Sequence, residues 1–222
     1  FGTPTQPAGG VGVRSTSSAY QVTAANDDDY DTTGGHYPTT GYVRQGKNSA
    51  GNILTAGYRF QNVAATTGAY VWSATLAISV TSEAMSAGDD YLRVYAEASD
   101  SCDDFASTYP SSRSQTTAYT QYALAGLSVP NWYTFTVTSQ VQEVFNRAGW
   151  TANNALCLIV QGTASLAVSE LVQSVSYDAD SASAARLNVQ WDQYTPTPTQ
   201  TNTPTATGTA TSTPTVTPTP TS

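Results

Sequence analysis

The chain has 222 residues and a formal net charge of −8, from 16 acidic and 8 basic side chains. That balance excludes nucleic acid as a partner, since nucleic-acid binding needs a basic footprint. No run of 18 apolar residues exists to span a membrane. With the Thr/Pro-rich C-terminus set aside, about 190 residues remain, enough for one domain with its own core.

In chain order, residues 1–10 hold two prolines and the pair Gly9-Gly10, and read as an extended arm. The chain starts at Phe1, which suits a processed product or part of a longer chain. From Val11 to residue 192 the pattern is that of one domain. Tyr20, Val22 and Ala24 alternate with polar neighbours. Trp72, Ala74, Leu76, Ile78 and Val80 form an apolar face, with Ser73, Thr75, Ser79 and Thr81 opposite. Leu92, Val94 and Ala96 repeat this, with Arg93 and Glu97 outward, and Tyr133, Phe135 and Val137 follow suit. Residues 155–160 are an unbroken apolar run, the mark of a central strand covered on both faces. Leu187, Val189 and Trp191 close the series, with Arg186, Asn188 and Gln190 facing out. Period two is the signature of half-buried strands.

One segment departs from it. Val141, Val144 and Phe145 fall at i, i+3 and i+4, the spacing of a helix at about 139–148. Ser139 with Gln142 fits a capping box, and Gly149 fits a C-terminal stop. Many short strands, glycine-rich turns and a single helix predict an all-β fold: a two-sheet jelly-roll β-sandwich followed by an extended Thr/Pro tail.

Several segments carry a family likeness. They are Gly57-Tyr58-Arg59-Phe60-Gln61-Asn62-Val63, Ser73-Ala74, Tyr95-Ala96-Glu97-Ala98-Ser99-Asp100, Ser112-Arg113, Val144-Phe145-Asn146-Arg147-Ala148-Gly149-Trp150, Asn154-Ala155-Leu156 and Ser176-Tyr177-Asp178. In that order the chain resembles bacterial secreted jelly-roll modules, similar to the DNRLRE (disaggregatase-related) and carbohydrate-binding modules. The resemblance covers residues 20–191. It implies a jelly roll in an extracellular multimodular protein, often beside Thr/Pro linkers, and no particular ligand. Cys102 and Cys157 lie outside that pattern.

Catalytic chemistry is hard to assemble from these residues. His36 is the sole histidine and sits in a turn-like Gly34-Gly35-His36-Tyr37-Pro38 segment. No nucleophile elbow, His-rich metal motif or phosphate loop is present. Glu83, Glu97, Glu143 and Glu170 read as surface charges, with Arg147 four residues after Glu143 as a helix-surface partner. The expectation is therefore a protein that is not an enzyme. The aspartates cluster in Asp27-Asp28-Asp29-Tyr30-Asp31, Asp100-Ser101-Cys102-Asp103-Asp104 and Asp178-Ala179-Asp180. Asp28, Asp29, Asp31 and Asp178 are candidate ligands of a structural Ca²⁺; three solvated acidic turns are the alternative. Cys102 and Cys157 form either one disulfide or two separate buried thiols. Tyr91 and Tyr95, outward on one strand, are candidates for a ligand or protein interface. Trp72 and Trp191 read as core, and packing is the default for Trp132 and Trp150.

The tail is the most regular stretch. Threonine occupies Thr195, Thr197, Thr199, Thr201, Thr203, Thr205, Thr207, Thr209, Thr211, Thr213, Thr215, Thr217, Thr219 and Thr221, and no charge follows Asp192. These threonines are the candidate O-glycosylation sites. No Asn-x-Ser/Thr sequon exists, so sugars here are expected to be O-linked. In a strand, all the threonines share one face and all the prolines, at even positions, lose their donors along one edge. Extended, the tail reaches roughly 90 Å, against a domain diameter of about 40 Å. These features predict an extracellular or cell-surface structural subunit, a homopolymer of identical subunits joined head to tail by its terminal arms and coated with O-glycans. The alternative is a carbohydrate-binding module on a larger secreted protein, with a polysaccharide as partner.

Overall fold

The computed structural model describes residues 15–33, 35–84, 91–123 and 126–192. The predicted N-terminal arm, 1–10, and tail, 193–222, lie outside the described residues. The strands are β1 (Ser15–Gln21), β2 (Asp28–Thr32), β3 (Gly35–His36), β4 (Tyr42–Lys47), β5 (Ile53–Val63), β6 (Tyr70–Ala84), β7 (Tyr91–Ala96), β8 (Thr120–Ala123), β9 (Asn131–Thr136), β10 (Asn154–Gly162), β11 (Leu171–Val175) and β12 (Arg186–Asp192). Among the described residues a single α-helix, α1, spans Thr138–Phe145. The all-β prediction holds, with every pairing antiparallel.

The strands join into one curled sheet with the path β1-β12-β6-β11-β4-β5-β10-β7-β8. β9 adds to β6, and β2 adds to β5 and carries β3. Two independent sheets were expected. Instead, the β4–β5 pairing of Gly46 with Leu54 and Lys47 with Ile53 carries hydrogen bonding from one half into the other. The curl brings side chains of both halves into one core. Leu76, Ile78 and Val80 of β6 meet Tyr58, Phe60, Leu156 and Leu158 of β5 and β10 there.

β10 is the central strand that its apolar run predicted, flanked by β5 and β7. Leu156, Leu158 and Val160 face the main core. Ala155, Cys157 and Ile159 face a second, smaller cluster with Cys102 and Phe105. Residues 97–119 cover that second face. Arg113 organises this cover: it pairs with Glu97 at 3.1 Å, bonds the carbonyls of Asp103, Asp104 and Thr108, and lies over the Phe105 ring. Gly57 of β5 lets Phe105 seat, because a Cβ there would lie 2.4 Å from the ring.

Two local expectations are corrected. The helix begins after Val137 with no side-chain cap, so the capping box does not form. Gln142 instead turns inward, accepts from the Val71 N–H at 2.8 Å and donates to the Ala69 carbonyl at 3.0 Å. The helix ends at Phe145 with Asn146 as C-cap, short of Gly149. Gly149 serves close packing, since a Cβ on it would collide with the Asp100 carboxylate. The second correction is Trp72, expected in the core and found 45% exposed. The β6–β12 register slips between Gln190 and Trp191, which pair with Ser73 and Val71. The extra residue is a bulge that leaves Trp72 and Ser73 both outward.

Candidate functional site

The acidic stretch Asp27 to Asp31 runs from the turn before β2 into that strand. Asp27, Asp28, Asp29 and Asp31 are each 1% exposed, so they are not solvated turn residues. The strand's alternation divides them. Asp28 pairs across with Tyr58 and shares the main-core face with Tyr30. Asp29 and Asp31 lie opposite Gly57 and Thr55, on the face covered by residues 97–119.

Each carboxylate has its own setting. Asp27 bonds Arg59 at 2.7 Å and Gln61 at 2.7 Å. Asp28 accepts the Tyr177 N–H at 2.7 Å, and its other oxygen is buried without a hydrogen bond. Burial pushes the Asp28 carboxyl up to about 7, against that bond and helped by Asp178 and Asp27. Asp29 lies 2.5 Å from His36 Nε2, out of hydrogen-bond alignment. Burial raises Asp29 to about 8, opposed by backbone donors and helped by Asp31. Asp31 is also raised by burial, and accepts both the Ser111 N–H at 2.9 Å and its hydroxyl. Burial lowers His36, whose ring rests on Tyr109 at 4.4 Å. Burial thus disfavours charge on both groups of this pair, which is enclosed under the cover segment.

The Ca²⁺ candidates Asp28, Asp29, Asp31 and Asp178 are not brought to one point. Asp28, with Asp178 near it, faces one side of β2, and Asp29 and Asp31 face the other. Among the described residues, the trio whose ligand atoms lie within 4.8 Å of one another is Glu97, Cys102 and Cys157. Its two sulfurs are joined: Cys102 and Cys157 form a disulfide with Cα atoms 6.0 Å apart, which resolves the two readings of the cysteines. The Glu143–Arg147 pair also gives way. Arg147 bonds Asp100 at 2.6 Å, and Glu143 accepts the N–H groups of Thr117 and Ala118.

No known protein family matches the chain, and no curated protein does. The site must therefore be judged on its geometry alone.

Tyr91 and Tyr95 share a face of β7 and both are half-buried there. Tyr95 packs against the Cys102–Phe105 cluster and lies 5.3 Å from Tyr119. Exposed aromatic rings include Tyr109 and Tyr119 of the cover segment, and Trp72 and Trp132 on β6 and β9. Trp132, expected to pack, is 38% exposed, while Trp150 and Trp191 are core. Trp132 carries the Arg186 guanidinium 4.7 Å from its ring centre. The signal in the sequence was the pair itself, Trp132 and Arg186, both at outward positions of alternating strands. The candidate O-glycosylation threonines, Thr195 to Thr221, lie outside the described residues.

The other accessible feature is an edge. Among the described residues β1 pairs with β12 alone, which leaves its second edge without a partner strand there. Its sequence, Ser-Thr-Ser-Ser-Ala-Tyr-Gln, holds neither charge nor proline. Ser15 lies opposite Asp192, so both terminal segments join the domain at one corner, beside this edge.

Proposed function

We propose that this chain is a structural, non-catalytic subunit of an extracellular filament or surface layer. In this reading the terminal segments of one copy add to the domain of the next. The carrying observation is that β1, among the described residues, is paired on one side alone and lies beside both chain exits. Natural edge strands are usually blunted by lysine, proline or bulges, because an open one accepts another strand. β1 carries no such block along seven residues. The tail is a suitable addition, since its prolines occupy only even positions and leave every threonine donor along one edge. A contact of tail on neighbour does not close on itself, and repeats into a filament.

The disulfide supports an oxidising compartment, and O-linked sugars on the odd-numbered threonines would stiffen and solubilise the tail. Among the described residues no helix is long and apolar enough to cross a membrane.

Electron microscopy of native material is the test, together with intact mass of the purified chain. Filaments or regular arrays, and a mass above 23.3 kDa mapped to residues 195–222, are expected. Ser17→Lys, placing a charge on β1, should abolish assembly while leaving the melting temperature unchanged. A monodisperse monomer that keeps both termini at every concentration overturns the proposal.

A further inference from the structure

The outer face of the sheet built by β1, β12, β6 and β9 holds a groove of about 500 Å³, within the range of ligand sites. Ala77 of β6 forms its floor, and Gln21, Trp132, Arg186 and Asn188 rise around it. These residues come from four strands, so the groove is held by ladders on both sides of β6 rather than by loops. The face continues past the groove along β6 to the bulge at Trp72. Trp132 stands opposite Ser79, so the two exposed tryptophans are seven positions apart, about 24 Å at 3.4 Å per residue. Between them the surface presents Ser73, Thr75 and Thr134 beside Asn188, all partly or fully exposed.

This combination selects a ligand class. Exposed indole faces stack on the C–H faces of pyranose rings, and hydroxyls and amides match their hydroxyl groups. A platform with a tryptophan at each end and no wall between fits an extended chain rather than a compact molecule.

The charge narrows the class further. The protein carries −8 overall, yet the strand positions facing outward between the tryptophans hold no exposed carboxylate; Asp192, which accepts from the Trp72 indole N–H, is buried. Arg186 makes no ion pair among the described residues. One of its Nη donors bonds the Ala182 carbonyl at 2.7 Å, and the guanidinium carbon lies over the Trp132 ring, 4.7 Å from its centre. The remaining donors form a fork suited to a carboxylate.

We infer that this face binds an extended, uronic-acid-bearing polysaccharide, with Trp72 and Trp132 stacking on sugar rings and Arg186 receiving a uronate carboxylate. The inference does not depend on assembly into filaments, and a monomer suffices for it.

The test uses the full chain with its disulfide intact, with polygalacturonate and alginate as acidic probes and amylose and xylan as neutral ones. Affinity electrophoresis and calorimetry should show binding to at least one acidic polymer, and weaker or no binding to the neutral ones. Trp132→Ala and Trp72→Ala should each weaken binding about tenfold. Arg186→Gln should remove the preference for acidic over neutral polymer. Ala77→Glu, on the floor and away from the core, should abolish acidic binding at an unchanged melting temperature, which separates a lost site from a lost fold. Failure to bind all four polymers overturns the inference. So does binding that survives both Trp132→Ala and Ala77→Glu, or equal binding of acidic and neutral polymers.

Discussion

Asp28 and Asp29 show how a fold can invert the usual pH behaviour of a carboxylate. Their folded pKa values, about 7 and about 8, stand above the ordinary 3.8. Between about pH 4 and pH 8 the folded protein keeps protons that the unfolded chain releases. Stability from these groups is therefore greatest at acid pH and falls as pH rises through that window. Asp31 has the same sign. His36 has the opposite one, because its lowered pKa favours unfolding as pH falls below 6.5. Two buried carboxyls with large shifts outweigh one histidine, so the melting temperature should decline from pH 4 to pH 8 by calorimetry. Asp28→Asn keeps an acceptor for the Tyr177 N–H and should flatten that slope, whatever it does to absolute stability. A melting temperature that climbs across the same interval contradicts this account.

The elements show where local sequence rules lose to packing. Gln142 has the spacing of a capping residue, and the structure uses it as a buried clamp on the chain entering β6. Gln142→Ala would strand the Val71 N–H and the Ala69 carbonyl in the core. We expect a loss of about 2–6 kcal/mol, at 1–3 for each of the two unsatisfied groups, measured by urea unfolding with an unchanged m-value. A loss under ~0.5 kcal/mol, ordinary for a surface helix residue, would show that water replaces the amide. The bulge at Trp72 has a similar lesson. Alternation put Trp72 in the core, and one inserted residue moved it to the surface, because a strand's side-chain period is two and a single slip changes face.

At the scale of the molecule, the Cys102–Cys157 disulfide ties the cover segment to the central strand across a sequence separation of 55 residues. Closing a loop of that length lowers the entropy of the unfolded chain by an amount equivalent to about 4 kcal/mol. Reduction should lower the melting temperature by roughly 10 °C for a domain of this size. It should also speed hydrogen exchange at Ser111, whose N–H is held by Asp31 under the same cover. Loss of the disulfide with no change in either quantity would show that Arg113 and its carbonyl partners hold the segment alone.

The sequence by itself determined the all-β class, the buried central strand at 155–160, the outward row on β12, and the place of the helix. Each rests on a periodicity set by backbone geometry, which survives without knowledge of neighbours. Composition likewise marked the Thr/Pro tail. Only the tertiary structure decided that Tyr91 and Tyr95 are half-buried, that Asp27 to Asp31 are buried, and that Trp72 and Trp132 share an open face with Arg186. Those facts depend on contacts between residues far apart in the chain, such as Gly57 with Phe105 and Asp31 with Ser111. A strand pattern tells which residues share a face; it carries no information about what comes to lie upon that face.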